Sequence, residues 1–239
     1  MVDRLQKILL KYLQKYISHY NQPIMKRHQA LRSYLEHLAP FLIENGFKRK
    51  RCGVYIKPMG DIYYWLDLTI TNFYPNKGFS FQIYIGVGVG KVDPVFKKLT
   101  NWESDPPFSN ELNYLMPNFR DLWHDGLPIM VYMNIDELDG SVAADVAKLY
   151  IEDGAFEFFD RFKSLTDLDS SINRPEDAIR ESTSYFGRVI YGLLIRNITN
   201  PSSLVDLARY YFQYEHKFEK SRAKVEAAIA HLGIDPSTL

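Results

Sequence analysis

The sequence predicts an α+β protein: an antiparallel meander sheet of about five strands, packed by helices and followed by a helical C-terminal part. This prediction rests on two changes in the spacing of apolar residues along the chain. Apolar residues recur at helical spacing near the start and after residue 139, whereas residues 53–87 alternate between apolar and polar. Turn residues separate the alternating segments, as expected for strands joined by short links. The 46% hydrophobic and 24% charged residues are ordinary for a globular protein.

The first two elements are predicted to be helices. Residues 4–20 place apolar side chains at helical spacing with lysines between them, and Asn21-Gln22-Pro23 interrupts the pattern. A second helix begins at Pro23 and runs towards Asn45, where Gly46 ends it. We therefore expect an N-terminal helical extension over 1–22, an α+β core domain over 23–170 and a C-terminal helical segment over 171–239 that packs on the core.

Three strands are predicted next, in "GVYIKP", "YYWLDLTI" and "FSFQIYIGV". Since successive side chains alternate between faces, parity assigns Val54, Ile56, Leu66 and Ile83 to the core face. The opposite face is polar but rich in aromatic rings, and we take its residues as candidates for a binding face: Tyr55, Lys57, Tyr63, Trp65, Asp67, Gln82 and Tyr84.

The second half of the chain is predicted to be mostly helical. Asp93-Pro94 opens a short helix with Asp93 as its cap, and two more strands are expected near 112–116 and 128–134. Helices are then expected at about 139–152, 154–164, 175–197 and 202–232.

The stretch "GVGVGKV", residues 86–92, raises the question of a phosphate-binding loop. A P-loop needs its first glycine five positions before Gly90 and a hydroxyl after Lys91, but those positions hold Ile85 and Val92. Glycines on one face of a strand usually mark a bulge or the close approach of another segment. We therefore interpret Gly86 and Gly88 as structural.

Three segments form a recognisable pattern: Gly46-Phe47-Lys48-Arg49 after a leucine-rich helix, Val54-Tyr55, and the strand from Phe81 to Val87. They give the chain a resemblance to a bacterial family of unknown function, domain-of-unknown-function family 4304. The resemblance covers about residues 28–140 well and the remainder loosely. It implies a helical C-terminal part, and it carries over no catalytic residue.

Charge is balanced overall but unevenly distributed. Residues 1–60 carry a surplus of nine positive charges and residues 61–239 an equal surplus of negative charges. The densest run is "KRKR", formed by Lys48, Arg49, Lys50 and Arg51 at a predicted helix-to-strand turn. Such a run contacts phosphates or an acidic protein, or is simply solvated.

The residues that usually carry chemistry form no recognisable site. Cys52 is the only cysteine, so an internal disulfide is excluded and a reducing compartment is favoured. The first residues also lack the apolar run of a signal peptide, so a cytoplasmic location is expected. The six histidines show no metal-ligand spacing, and we predict no metal and no cofactor. Cys52 beside "KRKR" and the His124-Asp125 pair are weak candidates for a nucleophile and for an acid/base pair.

Three hypotheses for function follow from these observations. The first is a non-enzymatic protein that binds another protein, of the antitoxin or immunity type, through the aromatic sheet face. The second is a nucleic-acid-binding protein that uses the basic first 60 residues, with the same face stacking bases. The third is an enzyme whose site is assembled in a cleft from distant residues. We expect no membrane partner and leave the oligomeric state open. The alternative for the aromatic face is that the C-terminal helices cover it.

Overall fold

The computed structural model shows an α+β protein whose helices lie mostly in the C-terminal half. It describes residues 27–72, 79–102, 106, 108–111, 123–124, 127–128, 140–174, 185–214 and 219–239. The predicted helix at 4–20, the predicted strand at 112–116 and most of the one at 128–134 lie outside these residues. No helix of the described part combines the length and the apolar character needed to cross a membrane.

The chain divides into two compact units whose segments interleave along the sequence. One comprises Met1–Ile56, Leu66–Tyr84 and Glu111–Phe158, and the other Lys57–Trp65, Ile85–Asn110 and Phe159–Leu239. The division expected from the sequence, at residues 22 and 170, stays a prediction.

The main sheet consists of four consecutive antiparallel strands, with a three-residue strand added beside the last. In spatial order they are β1 Lys48–Arg51, β2 Val54–Met59, β3 Ile62–Asn72, β4 Phe79–Val89 and β5 Ser109–Glu111. A separate ribbon pairs β6 Trp123–His124 with β7 Leu127–Pro128. The predicted number of about five strands is slightly off, because the prediction counted segments further along the chain and left out β1.

Strand β1 is the "KRKR" run, which the sequence suggested to be a turn. It pairs antiparallel with β2, with Arg49 opposite Tyr55 and Arg51 opposite Val54, so Lys50 is an extra residue in a β-bulge. The hairpin between β2 and β3 turns at Gly60, whose φ of 69° is the positive value that the first position of a two-residue hairpin loop requires.

Helix α1, Arg27–Glu44, ends as the sequence predicts. Gly46 has a φ of 83°, and the amide of Phe47 donates to the carbonyl of Leu42 at 2.9 Å. This bond, made around a left-handed glycine, satisfies a carbonyl that the end of the helix leaves without an intrahelical donor.

Helix α2, Asp93–Thr100, forms where the sequence places a short helix. Its N-cap residue is Val92 rather than Asp93, and no side chain caps it. Asp93 lies in the first turn instead, where its negative charge is favourable at the positive end of the helix dipole.

The C-terminal part is helical, but its helices are shorter and more numerous than expected. A π-helical segment, Ile151–Ala155, interrupts the first, and the segment expected to be one helix over 202–232 contains two. The bounds are α3 Ser141–Tyr150, α4 Phe156–Asp160, α5 Leu165–Ile172, α6 Tyr185–Thr199, α7 Leu204–Phe212 and α8 Arg222–His231.

In the first unit, α1 covers the apolar face of the sheet. The ring of Tyr34 lies 4.7 Å from that of Phe81 on β4, and both side chains are buried. Phe47, just after α1, stacks on Phe156 at 6.4 Å.

In the second unit, the apolar face of β3 packs on the segment around α4. Tyr64 stacks on Phe159 at 4.4 Å, and its hydroxyl donates to the carbonyl of Phe162 at 2.9 Å. Helices α2 and α6 pack together through Phe96 and Tyr191, whose rings meet edge to face at 5.5 Å.

Candidate binding surface

Tyr55, which was predicted to lie on the binding face, is buried in the core. The carbonyl of Gly53 accepts from the amide of Leu68 at 2.9 Å, so these residues lie opposite each other and Tyr55 lies opposite Leu66. Directly opposite residues share a face of the sheet. Tyr55 therefore shares the core face, it is only 1% exposed, and the parity assigned to β2 is wrong by one residue. Val54 and Ile56 lie on the other face instead.

The neighbourhood of Tyr55 agrees with this correction. Burial is the main reason that the pKa of Tyr34, on α1, lies above its usual range, and the nearby phenol of Tyr55 adds to the effect. Burial also raises the pKa of Tyr55, while the positive charge of Arg49 partly offsets that rise.

In the first unit, the candidates that remain partly exposed are Asp67, Gln82 and Tyr84. Tyr84 donates a long hydrogen bond of 3.4 Å to the side-chain oxygen of Gln82, two residues earlier on the same strand. These side chains form the polar sheet surface, by which we mean Asp67, Gln82 and Tyr84 throughout.

In the second unit, the remaining candidates for the binding face are Lys57, Tyr63 and Trp65, whose side chains differ in exposure. Trp65 is only 4% exposed, whereas Lys57 and Tyr63 are half-buried. The register that pairs Gly53 with Leu68 also places Lys57 opposite Tyr64, away from Tyr63 and Trp65. The aromatic face expected from the sequence is therefore divided, and two of its four rings are buried.

The basic candidates come together on β1, which we call the basic edge strand (Lys48–Arg51). All four side chains are exposed, and β1 is the outermost strand of the sheet on its side, within the described residues. No carboxylate of the described residues lies within ion-pairing distance of Lys48, Arg49 or Lys50.

Cations elsewhere in the described chain are often neutralised. Arg32 lies 2.8 Å from Glu36, Lys91 lies 3.3 Å from Asp61, and Arg222 lies 2.7 Å from Glu226. The basic edge strand differs from these positions because three consecutive cations, Lys48, Arg49 and Lys50, have no ion pair to a carboxylate of the described residues.

The structure also shows a polar cluster that the sequence did not suggest, around Asp93. Tyr191 donates to Asp93 Oδ1 at 2.5 Å, the amide of Val89 donates to the same oxygen at 3.2 Å, and Tyr63 donates to Oδ2. Burial, followed by the neighbouring Asp93 carboxylate, raises the pKa of Tyr191 well above its ordinary value. Both carboxylate oxygens accept donors from the chain itself, so the cluster acts as a structural junction between β3, β4, α2 and α6.

A second cluster joins α5 to α6 through Asp169, which is 5% exposed. Arg196 forms an ion pair with its Oδ2 at 2.9 Å, Thr199 donates to Oδ2 at 2.6 Å, and Asn173 donates to Oδ1 at 2.5 Å. A buried charge needs such a set of partners to offset its lost hydration. This cluster, too, is built to hold helices together. The sequence offered no signal for either cluster, because bonded partners are as many as 102 positions apart in the first and 30 in the second.

The weak chemical candidates stay separate in the structure. Cys52 is an exposed free thiol in the turn between β1 and β2. His124 lies opposite Leu127 in the small ribbon, and Asp125 falls outside the described residues. The described part contains no group of three or more His, Cys, Asp or Glu side chains that could hold a metal ion.

No family model, curated protein or solved structure matches this chain. The resemblance to family 4304 therefore stays a prediction.

Proposed function

We propose that this protein is a binding protein that recognises an acidic protein partner through the basic edge strand, with the polar sheet surface on inner strands of the same sheet. The observation that supports this most is the presence of four consecutive exposed cations on the outermost strand, three of them without an ion pair to a described carboxylate. Complementary charge speeds association and selects among partners. An antitoxin- or immunity-type protein acts by binding, so the proposal includes that role.

A protein partner fits the exposed groups better than a single-stranded nucleic acid does. Binding of single strands relies on accessible aromatic rings that stack on bases. Tyr55 and Trp65 are 1% and 4% exposed, so neither ring offers a free face of that kind.

The enzyme hypothesis receives less support from the same geometry. The carboxylates of Asp93 and Asp169 each accept hydrogen bonds on both oxygens from groups of the chain. A general base needs an acceptor directed at a substrate proton. These two clusters are therefore better explained as structural.

The test is an affinity capture from source-cell lysate with the tagged wild type and two variants, each in the presence and absence of nuclease. The first variant, Lys48→Glu/Arg49→Glu/Lys50→Glu, reverses the basic edge strand. The second, Lys97→Glu/Lys98→Glu/Lys220→Glu, makes the same change in charge at exposed lysines of the other unit. Circular dichroism and urea unfolding check that both variants are folded.

We expect a nuclease-resistant protein that the wild type and the second variant capture and the first variant loses. Capture that disappears with nuclease would replace this proposal with the nucleic-acid hypothesis. A partner retained equally by both variants would show that the basic edge strand takes no part.

A further inference from the structure

We infer that the part of the partner that docks on β1 is an extended acidic segment, which adds to the sheet as a further strand. This inference rests on the proposed function and specifies how the basic edge strand would be used. It follows from three properties of β1: its position in the sheet, the faces on which its cations lie, and its charge.

The position of β1 makes strand addition geometrically available. It is the outermost strand within the described residues and is hydrogen-bonded to β2 on its inner side. Backbone groups of a strand alternate in direction, so those that do not bond to β2 are directed outward. An extended peptide that adds to a sheet edge uses such groups for its main-chain hydrogen bonds.

The cations lie on both faces of this edge. Arg49 is opposite Tyr55 and so shares the core face, whereas Lys48 and Arg51 are opposite Ile56 and Val54 and share the other. A neighbouring strand also directs alternate side chains to the two faces. A segment with consecutive carboxylates therefore meets cations on each face, whereas a helix or a duplex presents its charges from one side.

The charge determines which strands are accepted. Lysines and bulges on an edge strand usually prevent unwanted pairing, and β1 has both. A second copy of β1 would bring like charges together, and an apolar strand would desolvate Lys48, Arg49 and Lys50, which have no ion pair to a described carboxylate. An acidic strand removes both penalties, so the same residues that protect the edge select an acidic occupant.

The experiment uses labelled octapeptides and fluorescence anisotropy with the full-length protein. The first peptide is Thr-Thr-Glu-Glu-Glu-Glu-Thr-Thr, which places two glutamates on each face of an extended strand. The second, Glu-Thr-Glu-Thr-Glu-Thr-Glu-Thr, has the same composition and charge but places all its glutamates on one face. The third is the first peptide with alternate backbone amides N-methylated on the docking edge, and the fourth has lysine in place of glutamate.

We expect the first peptide to bind, and its binding to weaken as salt screens the exposed charges. The second should bind about threefold to tenfold more weakly, since it loses the contacts of one face. The N-methylated peptide should lose at least about tenfold, because it lacks the edge hydrogen bonds. The variant with the basic edge strand reversed, Lys48→Glu/Arg49→Glu/Lys50→Glu, should not bind the first peptide and should bind the lysine peptide instead. The control variant, Lys97→Glu/Lys98→Glu/Lys220→Glu, should bind the peptides as the wild type does.

The outcomes separate this inference from the function on which it rests. Equal binding of the first three peptides would overturn strand addition and leave ionic docking of an acidic protein intact. No peptide binding, combined with capture of a partner that depends on the basic edge strand, would also overturn strand addition alone. Loss of that capture as well would overturn the proposed function.

Discussion

At the scale of single residues, the two glycines of β4 show how closely the chain packs on itself. A Cβ added to Gly86 would lie 2.6 Å from the Cβ of Ser109, and one added to Gly88 would overlap the phenol ring of Tyr63. Both glycines are buried, so the close approach that alternate glycines indicate in the sequence is confirmed. The sequence did not identify Ser109 or Tyr63 as the neighbours, because their pairing with β4 depends on the register of the whole sheet.

We expect Gly88→Ala to lower the free energy of unfolding by about 1–3 kcal/mol. The added methyl group would displace the ring of Tyr63, whose hydroxyl donates to Asp93, so the junction at the start of α2 would loosen as well. Urea unfolding measures the change. Gly90→Ala is the matched control, because no described residue lies within 4 Å of the added Cβ, and its effect should stay within about 0.5 kcal/mol. Equal effects of the two substitutions would contradict the steric argument.

At the scale of secondary-structure elements, the sequence predicted best where a local signal decides the structure. The end of α1 at Gly46 and the start of α2 beside Pro94 depend on a few adjacent residues. The end of α1 agrees with the structure, and α2 forms where expected, although Val92 and not Asp93 occupies its N-cap position. The basic edge strand was missed because four consecutive charges have no alternating pattern, and its strand conformation comes from pairing with β2.

Helix α5 was also missed, although its start carries a clear capping arrangement. The side-chain oxygen of Ser164 accepts from the amide of Asp167 at 3.1 Å, and the carboxylate of Asp167 accepts from the amide of Lys163 at the same distance. This reciprocal pair resembles a capping box, with an aspartate in place of the usual glutamate. An expected helix that ran on to residue 164 obscured the signal.

We expect Ser164→Ala to reduce the free energy of unfolding by about 1 kcal/mol, because the amide of Asp167 would lose its acceptor. Ser221 offers a matched control. It occupies the N-cap position of α8 but makes no side-chain capping bond, so Ser221→Ala should change the stability by less than about 0.5 kcal/mol. Urea unfolding of the two variants under one set of conditions measures the difference. A smaller loss for Ser164→Ala than for Ser221→Ala would show that the capping bond contributes nothing.

At the scale of the whole molecule, the spacing of apolar residues along the chain was enough to predict the class of fold. It was not enough to predict which side chains lie on which face of the sheet. Strands β2, β3 and β4 were each recognised separately, and the relative parity of β2 and β3 depends on the number of residues in the hairpin loop at Gly60. A loop of two residues places Tyr55 on the side of Leu66, whereas one more residue would place it on the side of Trp65. The sequence alone did not determine the length of this loop, and the prediction therefore placed Tyr55 on the binding face although it lies in the core.

Both units bury tyrosine hydroxyls, and this couples the stability of the whole chain to alkaline pH. Tyr34, Tyr150 and Tyr191 are at most 2% exposed. Burial raises the pKa of Tyr150 to about 12, and it also raises the pKa values of Tyr34 and Tyr191 well above their usual range. In the unfolded chain all three ionise near pH ~10. Above that pH the unfolded state holds fewer protons than the folded state, so the stability is complete below pH ~10 and falls as the pH rises.

Each of these tyrosines should remove about 1.4 kcal/mol of stability per pH unit above ~10, until the pH reaches its pKa in the folded state. At pH ~11 the combined loss is about 4 kcal/mol, a large share of the stability of an ordinary domain. Urea unfolding between pH ~8 and ~11 measures the slope, and tyrosinate absorbance reports whether ionisation accompanies unfolding.

The variant Tyr34→Phe tests the origin of this slope. The hydroxyl of Tyr34 is buried and has no hydrogen-bond partner among the described residues, so its removal should raise the stability at pH ~8 by about 1 kcal/mol and reduce the loss at pH ~11 by about 1.4 kcal/mol. Tyr191→Phe should lower the stability at pH ~8 by about 1–3 kcal/mol, because it removes bonds to Asp93 and Val89, yet it should reduce the alkaline loss by the same amount. An unchanged pH slope in both variants would contradict the assignment of alkaline sensitivity to these buried phenols.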